Sequence, residues 1–388
     1  MGKLVSEDAL IALSTGQLCR RFLGIALGLI GWICFRFLAS RPELAGIVVG
    51  MGPIPAIMRG LSILSAAVPF PLAEAMVVVL SLRQLSGAWS GMDKIRRREV
   101  SSLKVLVRGG LRLAQDIGVL VFFFYVLWGF QYARLGLEAH LGIEPAGEVT
   151  TPELRALAER AVELTNQFYE EIHGSIDIGE PTAGRRLADI VPSLEIGWGL
   201  VREELGLPHR VSGTHGSPKR ILATPLVKLL GVSGIYFPYT GEALVLGDLP
   251  GVLLAKELGH EMAHQRGFSS ESDANVLGTL VAARSPDPLA RYSAYSFLQR
   301  QLISALERVS TSDAEEVVQE RVPGVRRDLA NLAAYWQPAQ TSIGTMASRV
   351  NDAMLRTHGI REGVASYQGS TWVFIALTRE RGSDVLFF

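Results

Sequence analysis

The sequence is poor in cysteine and in charged residues, and it has no excess charge of either sign. Its 388 residues include two cysteines, Cys19 and Cys34, which excludes a disulfide framework and a cysteine-based metal site. Basic and acidic residues number 38 each, so the net charge gives no argument for a nucleic-acid partner. Charged residues make up 20% and hydrophobic residues 48%, which is too apolar for a typical soluble enzyme. The composition therefore predicts membrane segments.

Three long apolar runs lie within the first 132 residues. Each reaches the ~20 residues that a membrane-spanning helix needs once its flanks are included. The sequence predicts a membrane domain over residues 22–132, with transmembrane helices at about 22–39, 61–82 and 113–132. Residues 45–58 are also apolar, but they are short for a span and contain two prolines. An interfacial or re-entrant segment is favoured there, because a proline-broken backbone needs cover at membrane depth.

Basic residues predict the orientation of these helices. Residues 83–112, between the second and third runs, contain eight arginines and lysines, which favours a cytoplasmic loop. The N-terminal tail, residues 1–21, is also basic and lies on the same side if there are three spans. The remaining chain, residues 133–388, is then expected outside the cytoplasm. A fourth span at 45–58 would move the tail to the opposite side.

From about residue 133 the composition becomes that of a water-soluble domain. We expect a mainly α fold, with a helix over residues 151–172 and a small extended or β portion within 220–248. A helix is predicted between Pro250 and Gly267, and the next begins near Ser269 or Ser270. Further helices are expected at roughly 288–308, 312–320, 324–336 and 345–357.

The predicted helix before Gly267 contains an H-E-x-x-H pattern formed by His260, Glu261 and His264. Histidines four apart lie on one face of a helix, so both rings can bind one Zn²⁺. Zinc acidifies a water molecule, and Glu261 can take its proton and pass it to the leaving amine. The competing interpretation is a chance pattern on a solvated helix. Histidine is scarce in this chain, with seven residues, and an acid-bearing helix follows at once, which favours a zinc site.

A third zinc ligand is expected just after this helix, where the chain reads "ESDAN". In thermolysin-like and Ste24-like gluzincins, the first acid of such a motif binds zinc and the residue four later supports it. By that analogy Glu271 is the ligand and Asn275 its support. Asp273 is the alternative, and it points to a different helix face, so only one of the two is expected to bind.

Several segments of the chain together resemble the bacterial domain of unknown function 3810 family. They are "VPFPLAE", "LWGFQYAR", "SGIYFPYTGEALV", "GHEMAHQRGF", "ESDAN" and "VNDAMLRTHGIREGVASYQG", and the resemblance covers roughly residues 55–378. It implies a bacterial inner-membrane protein with N-terminal spans and a gluzincin-like H-E-x-x-H domain. The family commonly has Glu where this chain has Asp273, so the choice between Glu271 and Asp273 stays open.

Other residues are candidates for the walls of a catalytic cleft. In zinc peptidases an extended edge strand upstream of the metal helix often pairs with the substrate backbone. Tyr236 or Tyr239 is a candidate hydrogen-bond donor to the oxyanion, the alternative being a packing role. His358 is a candidate for a second wall. Glu242 is expected either to bind a substrate amine or, more simply, to form a structural salt bridge.

These observations predict a membrane-anchored zinc metallopeptidase that acts on peptides or proteins of the cell envelope. Its partners are that substrate and the lipid bilayer, and the oligomeric state stays open. A non-catalytic, zinc-stabilised scaffold or sensor is the main alternative, and it would show a closed metal site. Another zinc hydrolase, such as an amidase of cell-wall peptides, is a second. A transporter that uses Glu74 and Asp116 is a third, although three spans are few for that function.

Overall fold

A computed structural model describes residues 15–211, 213 and 215–388 of the chain. Most of the predicted N-terminal tail, residues 1–14, lies outside the described residues. Helices hold 72% of the residues and strands 3%, which confirms the mainly α prediction.

Three long helices form the N-terminal part of the fold: α1 (Thr15–Ala39), α4 (Leu72–Arg96) and α5 (Ser102–Leu127). Within the described chain, Gly16–Ala39 and Ser102–Leu127 are long and apolar enough to cross a membrane. Helices α1 and α5 run parallel, because contacts advance along both, from Gly24 beside Gln115 to Gly31 beside Phe122. Glycines allow this close packing, since a Cβ on Gly28 would lie 2.9 Å from the Cα of Gly118.

The prediction of one helix over residues 61–82 is wrong. Helix α3 (Ile54–Ala66) ends there, and α4 begins only at Leu72. The break contains Pro69 and Pro71, which cannot donate helical hydrogen bonds and restrict the residues before them. The basic stretch 83–112 is mostly helical rather than a loop, because α4 and α5 extend as an antiparallel hairpin that turns at residues 97–101.

The segment before α3 is bent, as the interfacial or re-entrant interpretation of residues 45–58 expects. A short helix, α2 (Pro42–Ala45), continues into a π-helical turn at Gly46–Met51. The pair Pro42–Met51 and Ile54–Ala66 is bent by 41° and is apolar enough for a broken span or a re-entrant loop. The described chain therefore has two candidate crossings, or three if this pair counts as one.

The second part of the chain is a helical domain with a small sheet. Its helices are α6 (Leu137–Leu141), α7 (Thr151–His173), α8 (Leu187–Leu205), α9 (Thr224–Lys228), α10 (Gly251–Gln265), α11 (Glu271–Ala283), α12 (Pro288–Glu307), α13 (Thr311–Gln319), α14 (Pro323–Tyr335), α15 (Ser342–Thr357) and α16 (Ser370–Arg381). The helices predicted for this part of the chain are all present within a few residues of their expected bounds. Helices α6, α8, α9 and α16 were not predicted.

The sheet has the strand order β1-β3-β2, from β1 (Lys219–Ile221), β2 (Gly234–Phe237) and β3 (Glu242–Leu246). The central strand β3 pairs parallel with β1 and antiparallel with β2. Within this sheet β2 is an edge strand, and it precedes the predicted metal helix α10 in the chain. The sheet therefore has the arrangement that a substrate-pairing edge requires.

Two carboxylates connect the sheet to α4. Glu242 accepts hydrogen bonds from the backbone N–H groups of Leu72 (2.9 Å) and Ala73 (2.7 Å), where α4 begins. It also pairs with Lys219 at 2.6 Å, so its role here is the structural one. Glu74, in the first turn of α4, accepts from the N–H of Leu222 at 2.7 Å. Both acids therefore join the helical domain to the start of α4.

Candidate metal centre

Helices α10 and α11 bring the proposed ligands together. The Nε2 atoms of His260 and His264 lie 3.3 and 3.6 Å from Oε2 of Glu271. One ligand atom from each of the three residues lies within 4.8 Å of the others. The helices approach this closely because glycines face each other, and a Cβ on Gly259 would lie 2.8 Å from the carbonyl oxygen of Gly278.

Hydrogen bonds at the other ring nitrogens orient the two imidazoles. Nδ1 of His260 lies 3.0 Å from Oδ1 of Asn275, and Nδ1 of His264 lies 2.7 Å from the carbonyl oxygen of Phe268. Each Nδ1 donates to its oxygen, which leaves Nε2 as the atom available to bind a metal ion. The predicted supporting residue Asn275 is present at the site, and the partner it orients in this arrangement is His260. Lys256 reaches the same Asn275 oxygen at 2.6 Å.

Burial and neighbouring charges shift the pKa values of the residues in this cluster. Burial favours the neutral ring of His264, but the carboxylate of Glu271 outweighs it and raises the pKa of His264 to about 9. Burial acts against ionisation of Glu271, yet His264 and His260 hold its pKa well below its usual range. Burial and the charge of Lys256 lower the pKa of His260. A proton and a metal ion would compete for His264, so metal binding at this cluster would release a proton.

Glu261 lies beside the ligands and is only 3% exposed. Its Oε2 atom is buried, and no residue in the described ranges gives it a hydrogen bond. Burial raises the pKa of Glu261 to about 8, although the charge of His264 acts the other way. A buried carboxyl oxygen without a protein partner is costly unless water or a cation is nearby.

The edge strand β2 meets the metal helix at Glu261. A Cβ built on Gly234, the first residue of β2, would lie 2.6 Å from Oε1 of Glu261. This contact requires glycine, because any side chain would displace the carboxylate. The edge of the sheet therefore lies next to Glu261, and pairing of this edge with a substrate stays a prediction.

Aromatic rings from residues 128–132, which directly follow α5, cover the centre. The ring of Trp128 lies 5.5 Å from the ring of His264 and 4.9 Å from that of Tyr236. Tyr132 packs on Trp128 at 6.2 Å, and after burial the charge of Glu271 also raises the pKa of its phenol. The hydroxyl of Tyr236 is buried and, within the described chain, has no hydrogen-bond partner. Tyr236 was predicted as a site residue, but Trp128 and Tyr132 were not, because no local pattern links residues 128–132 to the motif helix.

Three other predicted residues lie outside this cluster. Asp273 accepts a hydrogen bond from the N–H of Leu137 at 3.0 Å, so it fastens α6 rather than joining the ligands. Tyr239 donates its hydroxyl to the carbonyl oxygen of Leu120 in α5, at 3.0 Å. His358 lies one ring further out, 5.1 Å from the ring of Tyr132.

One basic and one acidic neighbour of His260 were also not predicted from the sequence. Lys256 and Glu257 are buried, lie 3.0 Å apart, and Ser233 donates to Glu257 at 2.6 Å. Their positions, four and three residues before His260, put them on its face of the helix. That spacing was a signal in the sequence that could have identified them.

The donor set fits zinc. Tetrahedral ligands at ~2.0–2.1 Å from zinc lie roughly 3.4 Å from one another. The distances from Glu271 to the two histidines, 3.3 and 3.6 Å, match this spacing. Two imidazoles and one carboxylate are a donor set that zinc accepts, and the carboxyl group of Glu261 lies beside them.

Comparison with known proteins places most of the chain in one family. A family model described as "Protein of unknown function (DUF3810)" matches residues 52–373, which include all the residues of the cluster and its aromatic cover. No curated protein and no solved structure matches the chain.

Proposed function

We propose that this chain, which belongs to the DUF3810 family, is a membrane-anchored zinc metallopeptidase. The observation that supports this most is the convergence of His260, His264 and Glu271 beside the buried carboxyl group of Glu261. Burying four ionisable side chains together costs hydration, and a bound cation offsets that cost. The substrates would be peptides or envelope proteins at the membrane surface.

The residues present suit hydrolysis of a peptide bond. When bound by His260, His264 and Glu271, zinc would supply a Lewis acid that polarises a carbonyl group and acidifies water. Glu261 would accept the proton of the attacking water and return it to the leaving amine nitrogen. The positive charge of a metal ion would favour its ionised form, which is the form that acts as a base.

Tyr236 is the best candidate to stabilise the oxyanion. Burial raises the pKa of its hydroxyl, so the group remains a hydrogen-bond donor at neutral pH. Tyr236 lies on β2, the edge strand that begins at Gly234. The ring of Trp128 packs against both Tyr236 and His264. Tyr239 is a weaker candidate, because its hydroxyl already donates to Leu120.

One observation favours the non-catalytic alternative. His260, His264 and Glu271 are 6%, 6% and 9% exposed, and aromatic rings cover them, so a peptide needs an opening to reach the metal. A zinc-stabilised scaffold or sensor would have such a closed centre. The two functions differ in whether Glu261 matters, because a structural site has no use for a base.

The test compares wild type with Glu261→Gln, both reconstituted in vesicles. Zinc content would be measured by mass spectrometry, and hydrolysis with a fluorogenic peptide library and with cell-wall peptides. We expect about one zinc per chain in both, and loss of at least about 10²-fold in hydrolysis in the variant. A fully zinc-loaded wild type that cleaves neither substrate set would establish the scaffold, and cleavage of cell-wall peptides alone would establish the amidase.

The same proposal includes a location and an orientation. Because α1 and α5 run parallel, their first residues would lie on one side of the bilayer and the helical domain on the other. Arginines cluster at those first ends, where Arg21 donates to the carbonyl oxygen of Arg108 at 2.8 Å. Positive charge marks the cytoplasmic side, so the metal centre would lie outside the cytoplasm, on the bacterial inner membrane.

A further inference from the structure

Helix α15 carries an exposed apolar stripe. Ile343, Met346 and Val350 are 51%, 64% and 66% exposed, and their spacing puts them on one side of the helix. The side next to this stripe is polar and includes Thr345, Arg349, Asp352 and Arg356. A helix that separates apolar from charged residues in this way is typical of a segment that lies in a membrane surface.

The C-terminal end of α15 packs against α1 and α5, at a point inside the ends of these two helices. The ring of His358, the residue that follows α15, lies 5.2 Å from Phe35 of α1 and 5.7 Å from Phe124 of α5. Phe35 precedes the end of α1 by four residues, and Phe124 precedes the end of α5 by three. At 1.5 Å per residue, the contact lies about 5–6 Å inside those ends.

The N-terminal end of α15 packs against a segment that is bound to the start of α4. Gly344 packs on residue Leu229, and a Cβ there would lie 3.2 Å from its carbonyl oxygen. Just before Leu229, Leu222 and Leu226 are 68% and 65% exposed. The N–H of Leu222 is held by Glu74 in the first turn of α4. Helix α4 is antiparallel to α5, so this turn lies level with the last turns of α5.

We propose that Leu222, Leu226, Ile343, Met346 and Val350, the apolar face, are inserted into the lipid bilayer beside the membrane helices. Both attachments of the face lie at the domain end of these helices, where lipid surrounds them. Amphipathic helices bury their apolar side roughly 5–10 Å into the headgroup and acyl boundary. The depth of the His358 contact agrees with that range.

Charge agrees with this placement. The polar side of α15 carries Arg349 and Arg356, whose long side chains can reach the headgroup region. Asp352 pairs with Arg356 at 2.7 Å on the same polar side, and the apolar face itself contains no charged residue. This proposal concerns the position of the domain on the membrane and does not depend on zinc or on hydrolysis.

Spin labels on the full chain test this placement. Cys19 and Cys34 would be replaced by serine and alanine, and single cysteines introduced by Met346→Cys and Val350→Cys. Thr345→Cys and Arg349→Cys are the matched controls on the polar side of the same helix, and Ile30→Cys in α1 is the lipid reference. Collision of each label with oxygen and with a water-soluble nickel complex would be measured in vesicles of phosphatidylcholine and phosphatidylglycerol.

We expect the labels at 346 and 350 to resemble the label at 30, with oxygen collisions favoured several-fold over nickel collisions. The labels at 345 and 349 should show the reverse ratio. Nickel collisions at 346 and 350 equal to those at 345 would overturn the proposal, because the face would then be in water. Low collision rates with both reagents would also overturn it, since a second protein chain would then cover the face.

Discussion

At the scale of single residues, the contact between Gly234 and Glu261 controls the candidate base. The glycine lets the edge strand pass within van der Waals distance of the carboxylate, so strand and base are positioned together. A Cβ at residue 234 would meet Oε1, Cγ and Cδ of Glu261 at 2.6, 2.7 and 2.8 Å. The carboxyl group would have to turn away, or the strand would have to move.

Gly234→Ala should therefore reduce hydrolysis while leaving zinc bound. A displacement of about 1 Å at a reacting group costs up to roughly 10²-fold in rate. The three atoms nearest to the new methyl group all belong to Glu261 rather than to a proposed ligand, so metal content should not change. Hydrolysis rates and zinc content would be measured on the same preparations. Ile235→Ala on the same strand, at a half-exposed side chain, is the control and should keep most activity.

His215 makes the stability of the protein sensitive to acid. Burial, and after it the charge of Arg266, lowers the pKa of His215 to about 3, while an unfolded histidine titrates near 6.5. Between these values the unfolded chain binds a proton that the folded chain does not. Stability should therefore fall as the pH drops below about 6.5, by about 2 kcal/mol between pH 7 and pH 5.

His215→Asn should remove this part of the acid sensitivity. An asparagine amide can replace the Nδ1 donor that reaches the carbonyl oxygen of Gly213 at 2.9 Å. Thermal unfolding in detergent would be followed at several pH values for both proteins. The midpoint of the variant should decrease less between pH 7 and pH 5. Parallel curves for the two proteins would show that His215 is protonated as easily when folded as when unfolded.

At the scale of elements, the crossing of α10 and α11 holds the three ligands together. A Cβ on Gly278 would lie 2.6 Å from the backbone nitrogen of His260, so Gly278→Ala must push the helices apart. We expect a loss of about 1–3 kcal/mol in stability and a weaker zinc affinity, because Glu271 moves with α11. Chelator competition and thermal unfolding measure the two effects.

Gly199→Ala in α8 is the matched substitution, since a Cβ there meets nothing within 4 Å. It should be neutral or stabilising by up to about 1 kcal/mol, because alanine favours a helix over glycine. If Gly278→Ala behaved in the same way, the helix crossing would not control the ligand distances.

Local signals were enough to predict the two metal helices. Pro250 precedes α10, Gly267 follows it with a φ of +91°, and the side chain of Ser270 accepts from the N–H of Asp273 at the start of α11. The choice between Glu271 and Asp273 was not local. It depends on the N–H of Leu137, which lies far away in the chain and occupies the carboxylate of Asp273.

In the N-terminal part of the fold, local signals were not enough. Apolar composition predicted α1 and α5, but it also led to one predicted helix across the prolines that separate α3 from α4. The aromatic cover of the candidate metal centre could not be predicted from the sequence either. Trp128 contacts His264 only because two distant parts of the chain pack together. Helix periodicity carries no information about such contacts.

At the scale of the whole molecule, the centre lies where the membrane part and the helical domain meet. Glu242 and Glu74 bind the backbone at the start of α4 and after β1, and Tyr239 reaches Leu120, about 10 Å inside the end of α5. The membrane helices are therefore part of the framework of the site as well as an anchor.

A chain that begins at residue 133 should accordingly lose the centre. Glu242 would lose its two backbone donors, and the rings of Trp128 and Tyr132 would be missing beside His264 and Tyr236. We expect aggregation or, in soluble material, a lower unfolding midpoint and reduced zinc content. Co-expression of residues 1–132 as a separate polypeptide should restore zinc binding, which separates loss of contacts from misfolding. A monomeric fragment that keeps full zinc and hydrolysis on its own would show that the membrane helices only tether the domain.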